Sequence, residues 1–331
     1  MTALSAYIEG ARRVASAPIV VAGMLVVSLF FALPAAFFVR SMLAHDLGHS
    51  GAAETVTDGV DWQWWQEYSS QTSGLARTFT PRVIGFAAPL GNLSDLADKA
   101  RPPASTWLLV AGWLVLWSFL SGGILDRYAR DRRLGAHGFF MAAGMHFFRF
   151  LRLAALATPL YFVLAYWVHG WLLDDTYRWL TRTTTVERNA FVVRAALYAA
   201  LGVIVVGITI LFDYARIRIV VEDRHSAVGA LVAAARFLRR HPAVALRLYA
   251  LNALGFLAIL GLYWLSAPPA PAMWLGWLVG QLYVVARLWV KLQFYASQTA
   301  LFQGKLAHAG YVARAPASWP DSPAAEVARR A

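Results

Sequence analysis

The chain contains no cysteine. That absence excludes disulfides, thiol nucleophiles and Cys-ligated metal centres together. Lysine is nearly absent, occurring only at Lys99, Lys291 and Lys305; the remaining strong bases are all arginine. Charged residues make up 15% of the 331 positions, against about 25% in a soluble domain. No nucleophile–base pair, paired carboxylates or phosphate loop can be recognised, so no catalytic constellation is evident. The formal charge of +12 is strongly basic, yet no nucleic-acid-binding module accompanies it.

What is present is apolar. Hydrophobic residues form 59% of the chain, 14 residues are tryptophan, and the mean hydropathy is +0.51. Six stretches are long enough to cross a bilayer, which takes about 20 apolar residues. They run over Ala17–Val39, Thr106–Leu125, Leu151–Leu173, Phe191–Leu211, Leu246–Leu265 and Met273–Tyr295. The expected fold is therefore all-α, a polytopic six-helix transmembrane bundle. The first stretch follows Arg12 and Arg13 as a signal peptide would. It exceeds the roughly 7–15 residues of a signal core and lacks a small-residue cleavage site, so it reads as a retained helix. Pro34 near its outer end is a candidate kink.

The bases orient the chain. Short connections after the second and fourth stretches carry Arg127, Arg130, Arg149, Arg152, Arg216, Arg218, Arg224, Arg236, Arg239 and Arg240. The positive-inside rule puts those connections, and both termini, in the cytoplasm. Arginine in place of lysine, with abundant alanine, is a compositional mark of GC-rich bacteria, hence a bacterial inner membrane. Residues 1–39 are expected to hold an N-terminal interfacial helix and the first span. Residues 40–104 form a periplasmic loop domain, 105–303 a five-helix membrane domain, and 304–331 a disordered cytoplasmic tail.

Two arginine-rich connections look alike. One reads Asp126-Arg127-Tyr128-Ala129-Arg130, then Gly138-Phe-Phe-Met-Ala-Ala; the other reads Asp213-Tyr214-Ala215-Arg216, then Gly229-Ala-Leu-Val-Ala-Ala. In the second, Val228, Leu231, Ala235 and Leu238 share a helical face, with Arg236 and Arg240 largely opposite. That is the pattern of a basic helix lying in the membrane interface, and His241-Pro242 ends it. Leu4, Tyr7, Ile8, Ala11 and Val14 share a face in the same way, and Ala17-Pro18 follows. The repeated plan is an interfacial helix, a bend, and a span. Its partner is a bilayer with anionic head groups at the cytoplasmic face.

Polar groups within spans are functional candidates by default. Asp213, Asn252, Gln281, Arg287 and Lys291 either line a polar path or serve as packing amides and snorkelling cations. In the outer loop, Trp64, Trp65 and Glu67 either anchor at the membrane surface or stack a sugar or lipid head group. His45 and His49, four residues apart, could grip a divalent metal on a helix. Two solvated loop histidines are the alternative. No cofactor is expected.

Asp61-Trp-x-Trp-Trp-Gln-Glu, Thr78-Phe-Thr-Pro-Arg-Val-Ile-Gly-Phe-Ala-Ala, Asn92-Leu-Ser, Gly122-Gly-Ile-Leu-Asp-Arg and Phe237-Leu-Arg-Arg-His-Pro resemble a family of uncharacterised bacterial polytopic inner-membrane proteins. The layout is also loosely similar to the membrane domain of some glycerophosphodiester phosphodiesterases, without their catalytic domain. The resemblance implies topology and carries no active-site residue. Three functions stay open: a non-catalytic scaffold or accessory component with a membrane-protein partner, a transporter with a polar path along the last span, and an enzyme acting on lipid or glycan at the outer face.

Overall fold

The computed structural model describes residues 1–48, 51–52, 54, 61–79, 104–131, 135–266 and 273–306. It is all-α, with no strand among those residues. In chain order the helices are α1 (Ala3–Ala15), α2 (Pro18–Gly48), α3 (Trp62–Gln71), α4 (Ala104–Arg130), α5 (Ala136–Thr181), α6 (Glu187–Val221), α7 (Ala227–Arg240), α8 (Pro242–Ser266) and α9 (Met273–Leu306). Six of them, α2, α4, α5, α6, α8 and α9, are long and apolar enough to cross a membrane. Their large apolar side chains stay open, as Ile19, Phe30, Leu108, Phe191, Val203 and Leu265 show. In water such exposure would be costly; in lipid it costs nothing. The chain is accordingly a multi-pass membrane protein.

Each expected span falls inside one of these helices, but the helices run further. α4 continues past Leu125 to Arg130, α6 past Leu211 to Val221, and α9 past Tyr295 to Leu306. The hydropathy rule stops a span where charges begin. The backbone does not: in α4 and α6 those charges pair along the same helix, Asp126 with Arg130 and Asp213 with Arg216. α2 likewise passes through Pro34 and Val39 to Gly48. α5 covers 46 residues, about 69 Å at 1.5 Å per residue, against a hydrocarbon layer of about 30 Å. Between Leu164 and Thr176 it contains two wide π-helical turns, Leu164–Val168 and Trp171–Thr176. Nothing in the apolar pattern announces them.

The chain divides into two compact units. The first comprises Met1–Arg13, Ser118–Tyr249 and the chain from Tyr295 onward; the second comprises Val14–Trp117 and Ala250–Phe294.

In the first unit, three segments present small residues inward and large apolar residues outward. α1 buries Ala6, Gly10 and Val14 and leaves Leu4 and Ile8 exposed. α7 buries Ala227, Ala230, Ala233, Ala234 and Phe237 and exposes Val228 and Val232. The first turns of α5 bury Ala142, Ala143 and His146 and expose Phe140, Met141, Met145 and Phe148. The Val228 side of α7 and the Leu4–Ile8 side of α1 are the open sides, and the alanine side packs inward. Close packing in membrane proteins selects small side chains. The layout expected from the sequence is corrected in one place. His241-Pro242 does separate α7 from α8, and Ala17-Pro18 separates α1 from α2. The segment from Gly138 instead runs into the span as one continuous helix.

Small residues permit the approach. A Cβ at Gly10 would lie 2.6 Å from that of Ser297, and one at Gly123 would lie 2.8 Å from the Phe139 carbonyl oxygen. Both positions require glycine for space.

The second unit includes a small aromatic core. Asp61 caps α3, accepting from the Gln63 and Trp64 amides at 3.0 Å; such a cap is worth about 1 kcal/mol. Trp64, Tyr68 and Ala76 are buried there, with Leu43, Leu47, Trp65 and Phe79 packed around them.

Candidate functional site

The polar chemistry of the first unit gathers where its helices end. The last four carbonyls of a helix lack intrahelical partners, and at the end of α4 side chains supply them. Arg13 donates from Nη1 to the Tyr128 carbonyl at 2.8 Å and to Gln303 Oε1 at 2.8 Å. Gln303 Nε2 in turn donates to the Ala129 carbonyl at 2.6 Å. Arg13 Nε also reaches Glu9 at 3.1 Å. Burial raises the Glu9 pKa, but the hydrogen bonds and charges of Arg12 and Arg13 outweigh it, so the carboxyl lies below its ordinary value. One guanidinium thus ties α1, α4 and α9 together and places positive charge at the negative end of α4's dipole.

The two look-alike sequences occupy like environments. Tyr128 and Tyr214 are both buried, and their hydroxyls have no hydrogen-bond partner among the described residues. Asp126 pairs with Arg130 at 2.7 Å, with its side chain fully buried. Asp213 pairs with Arg216 at 3.4 Å, Arg216 reaches the Tyr295 hydroxyl at 3.3 Å, and Gln298 Nε2 reaches Asp213 at 3.5 Å. Both helices are followed by an aspartate in the left-handed region, Asp131 at φ 43° and Asp223 at φ 49°. That position usually takes glycine or asparagine. Asp223 pairs with Arg149 of α5. Desolvation raises its pKa, and the hydrogen bond and charge of Arg149 bring it below the ordinary carboxylate value.

Sequence reasoning missed a third grouping. α6, α7 and α9 enclose a cavity of about 240 Å³ lined by Arg218, Arg224, Arg236, Arg240, His241 and Lys305. The Arg218 guanidinium lies 4.9 Å over the Phe302 ring and pairs with Glu222 at 3.0 Å. Burial, then Lys305 and Arg240, push the His241 imidazole below its ordinary pKa. The signal in the sequence was Arg236 and Arg240 spaced one helical turn apart. They were read as the polar side of an interfacial helix.

The sequence-derived polar set is dispersed. Asp213 belongs to the first unit; Asn252, Gln281, Arg287 and Lys291 belong to the second. Within the second, Asn252 is buried, Gln281 is half-buried and Arg287 is exposed. Lys291 behaves differently from Arg287 one turn away. Its Nζ lies 3.3 Å from the Trp117 ring centroid and 5.8 Å from that of Trp113, and the two indoles stack at 5.9 Å. A cation over an indole is worth about 0.5–2 kcal/mol.

The outer aromatic trio does not form one open platform. Trp64 is buried, stacked on Tyr68 at 5.2 Å, and donates from Nε1 to Asp46 Oδ2 at 3.0 Å. Trp65 is half-buried against the same core, while Glu67 is exposed and takes a hydrogen bond from Gln71 at 3.3 Å. The exposed indole is that of Trp62. Burial, with the nearby Asp46 charge, raises the Tyr68 pKa. His45 is exposed on the last turns of α2. His49, along with Thr80–Ser94 and the tail beyond Leu306, lies outside the described residues.

No protein-family model, curated protein or solved structure matches this chain. The functional reading therefore rests on its own residues.

Proposed function

We propose that this protein is a non-catalytic scaffold or accessory component of a bacterial inner membrane, with both termini in the cytoplasm. The observation that carries the reading is the shared construction of α1, α7 and the first turns of α5. Each turns small residues inward and leaves large apolar side chains open beside arginines. A helix of that kind rests at the level of the lipid head groups, its apolar side among acyl chains and its arginines at anionic phosphates. Such segments give the protein a broad grip on one leaflet, which suits a component that organises lipid or holds a partner there. The partly buried Asp213–Arg216–Tyr295–Gln298 group supports a second reading, transport, because charges inside spans often mark solute paths.

The absence of cysteine makes the orientation directly testable. Ser70→Cys and Ser226→Cys, both exposed positions, are labelled in intact cells with a membrane-impermeant maleimide. The expected result is labelling at residue 70 and protection at residue 226 until the cells are opened. The reverse pattern overturns the orientation. A solute flux through purified protein in vesicles, abolished by Asp213→Asn, would replace the scaffold reading with the transport one.

A further inference from the structure

The cavity between the ends of α6, α7 and α9 concentrates more positive charge than the fold neutralises. Its wall holds five strong bases and His241, on an apolar base of Ala233, Phe237 and Leu306. Glu222 pairs with Arg218 and Arg224. Arg236, Arg240 and Lys305 have no ion-pair partner among the described residues. Arg218 is held rather than free. Its side chain is 11% exposed, its guanidinium lies over Phe302, and its buried Nε–H has no acceptor among the described residues. Burial first, and then the Lys305 and Arg240 charges, lower the His241 pKa. Cations around one cleft repel each other unless an anion joins them.

The size of the space and the donor geometry narrow the anion. A volume of about 240 Å³ is below the roughly 300–1,000 Å³ of ordinary small-molecule sites. It accepts a phosphate and a few further atoms, and its open side leaves the rest of a larger molecule outside. Guanidinium forks pair bidentately with phosphate oxygens, and lysine adds a point charge. A phosphomonoester carries about −1.5 to −2 charge at neutral pH and three terminal oxygens. That matches a wall with three unpaired bases better than a monoanionic carboxylate does.

We propose that this cavity is a binding site for a phosphomonoester group. The group has two chemical sources, the head of a phosphatidic-acid-type lipid or a small soluble phosphate. The exposed Val228 and Val232 on the other side of α7 favour the lipid.

The full-length protein tests this in two arms. Glycerol phosphate is titrated into detergent-solubilised protein by calorimetry. Protein in nanodiscs is compared between phosphatidic acid and phosphatidylcholine by native mass spectrometry. Saturable glycerol phosphate binding identifies a soluble source, and retention of phosphatidic acid alone identifies a lipid source. In either arm, Arg236→Gln/Arg240→Gln weakens binding about tenfold or more, as expected for loss of charge-assisted hydrogen bonds. Both arginines are exposed, so the variant keeps its melting temperature. Arg12→Gln, at an exposed base on α1, leaves binding unchanged. The absence of saturable binding in both arms overturns the proposal. So does an equal loss with Arg12→Gln, which would mark nonspecific surface charge. The orientation test can fail independently of this one, since binding to solubilised protein does not depend on which side the site faces.

Discussion

The two units hold their cations by different means. In the first, guanidinium groups meet carboxylates, helix-end carbonyls and a phenyl ring: Arg13 at Tyr128 and Gln303, Arg130 at Asp126, Arg149 at Asp223, Arg218 at Glu222 and Phe302. In the second, Lys291 rests on two indoles while Arg287 is exposed. Glycines vary within each unit: in the first, Gly10, Gly122, Gly123 and Gly304 are closed in while Gly144, Gly202 and Gly207 face open space; in the second, Gly112 meets Phe31 at 3.3 Å while Gly23, Gly261 and Gly280 face open space. The tightest backbone approaches and the directional polar contacts of arginine belong to the first unit. Arginine suits the first because its planar fork forms several fixed hydrogen bonds. Lysine, a compact charge on a flexible stem, suits a ring face.

The largest expected effect comes from breaking the close approach. Gly123→Leu forces side-chain atoms into the Phe139 backbone and should destabilise by about 3 kcal/mol, read as loss of monodisperse protein in detergent. Gly280→Ala, with nothing within 4 Å of the added carbon, should leave the melting temperature unchanged or raised. Equal damage from both would erase the contrast between the units.

Next is the Arg13 clamp. Arg13→Ala strips a charged donor from the Tyr128 carbonyl and from Gln303 and should cost about 2 kcal/mol. Arg13→Lys recovers part of this, since one ammonium cannot reproduce the fork. Thermal unfolding of the two variants would show the order, and a lysine variant as stable as the parent would reduce the clamp to a point charge.

These two cases show what the sequence could and could not disclose. The six spans were legible because lipid imposes length and hydropathy on a continuous segment. The separation of α7 from α8 was legible because proline lacks an amide donor. The inward sides of α1, α7 and α5 were not legible, because side-chain size, not hydrophobicity, decided which side packs. The Arg13–Gln303 contact joins residues 290 positions apart, and no local period encodes that. The cationic cavity was missed for the same reason: its lining comes from the ends of α6, α7 and α9, and each arginine taken alone resembles the polar side of an interfacial helix. Trp64 shows the converse error. Its cluster with Trp65 was correctly seen as aromatic structure, but only tertiary packing reveals that Asp46 and Tyr68 occupy its edge and face.

A smaller effect separates the units from the other direction. Lys291→Ala removes the charge over Trp117 and should destabilise by about 1 kcal/mol, with a shift in tryptophan emission. Lys291→Arg should retain most of it, because a guanidinium also stacks on indole. A silent Lys291→Ala would mean that the indoles hold this region without their cation.

The smallest effect is one of pH. Glu9 and Asp223 have carboxyls held below their ordinary values of 4.5 and 3.8 by neighbouring arginines. A lowered folded pKa gives stability that is present above the unfolded value and lost as pH falls through the folded one. Asp223 is exposed and Glu9 is half-buried beside the exposed Arg12, so solvent screening should keep the loss to about 1 kcal/mol or less. Acidification below about pH 4 should therefore raise hydrogen exchange in Ala3–Ala15 while Ala104–Trp117, beside Lys291, keeps its protection. Loosening of both segments together would show that the pairs in the first unit are not the acid-sensitive elements.

The Arg13 clamp also sets a clock on biogenesis. Its two ends are 290 residues apart, so at ribosomal rates of about 5–20 residues per second the first helix waits roughly 15–60 s for its partner. The Tyr128 carbonyl, 115 residues on, arrives well before Gln303, and until Gln303 is made the clamp is incomplete and the open Leu4 and Ile8 have the lipid surface. The chain therefore assembles in two stages, threading its spans first and fastening its beginning to its end last.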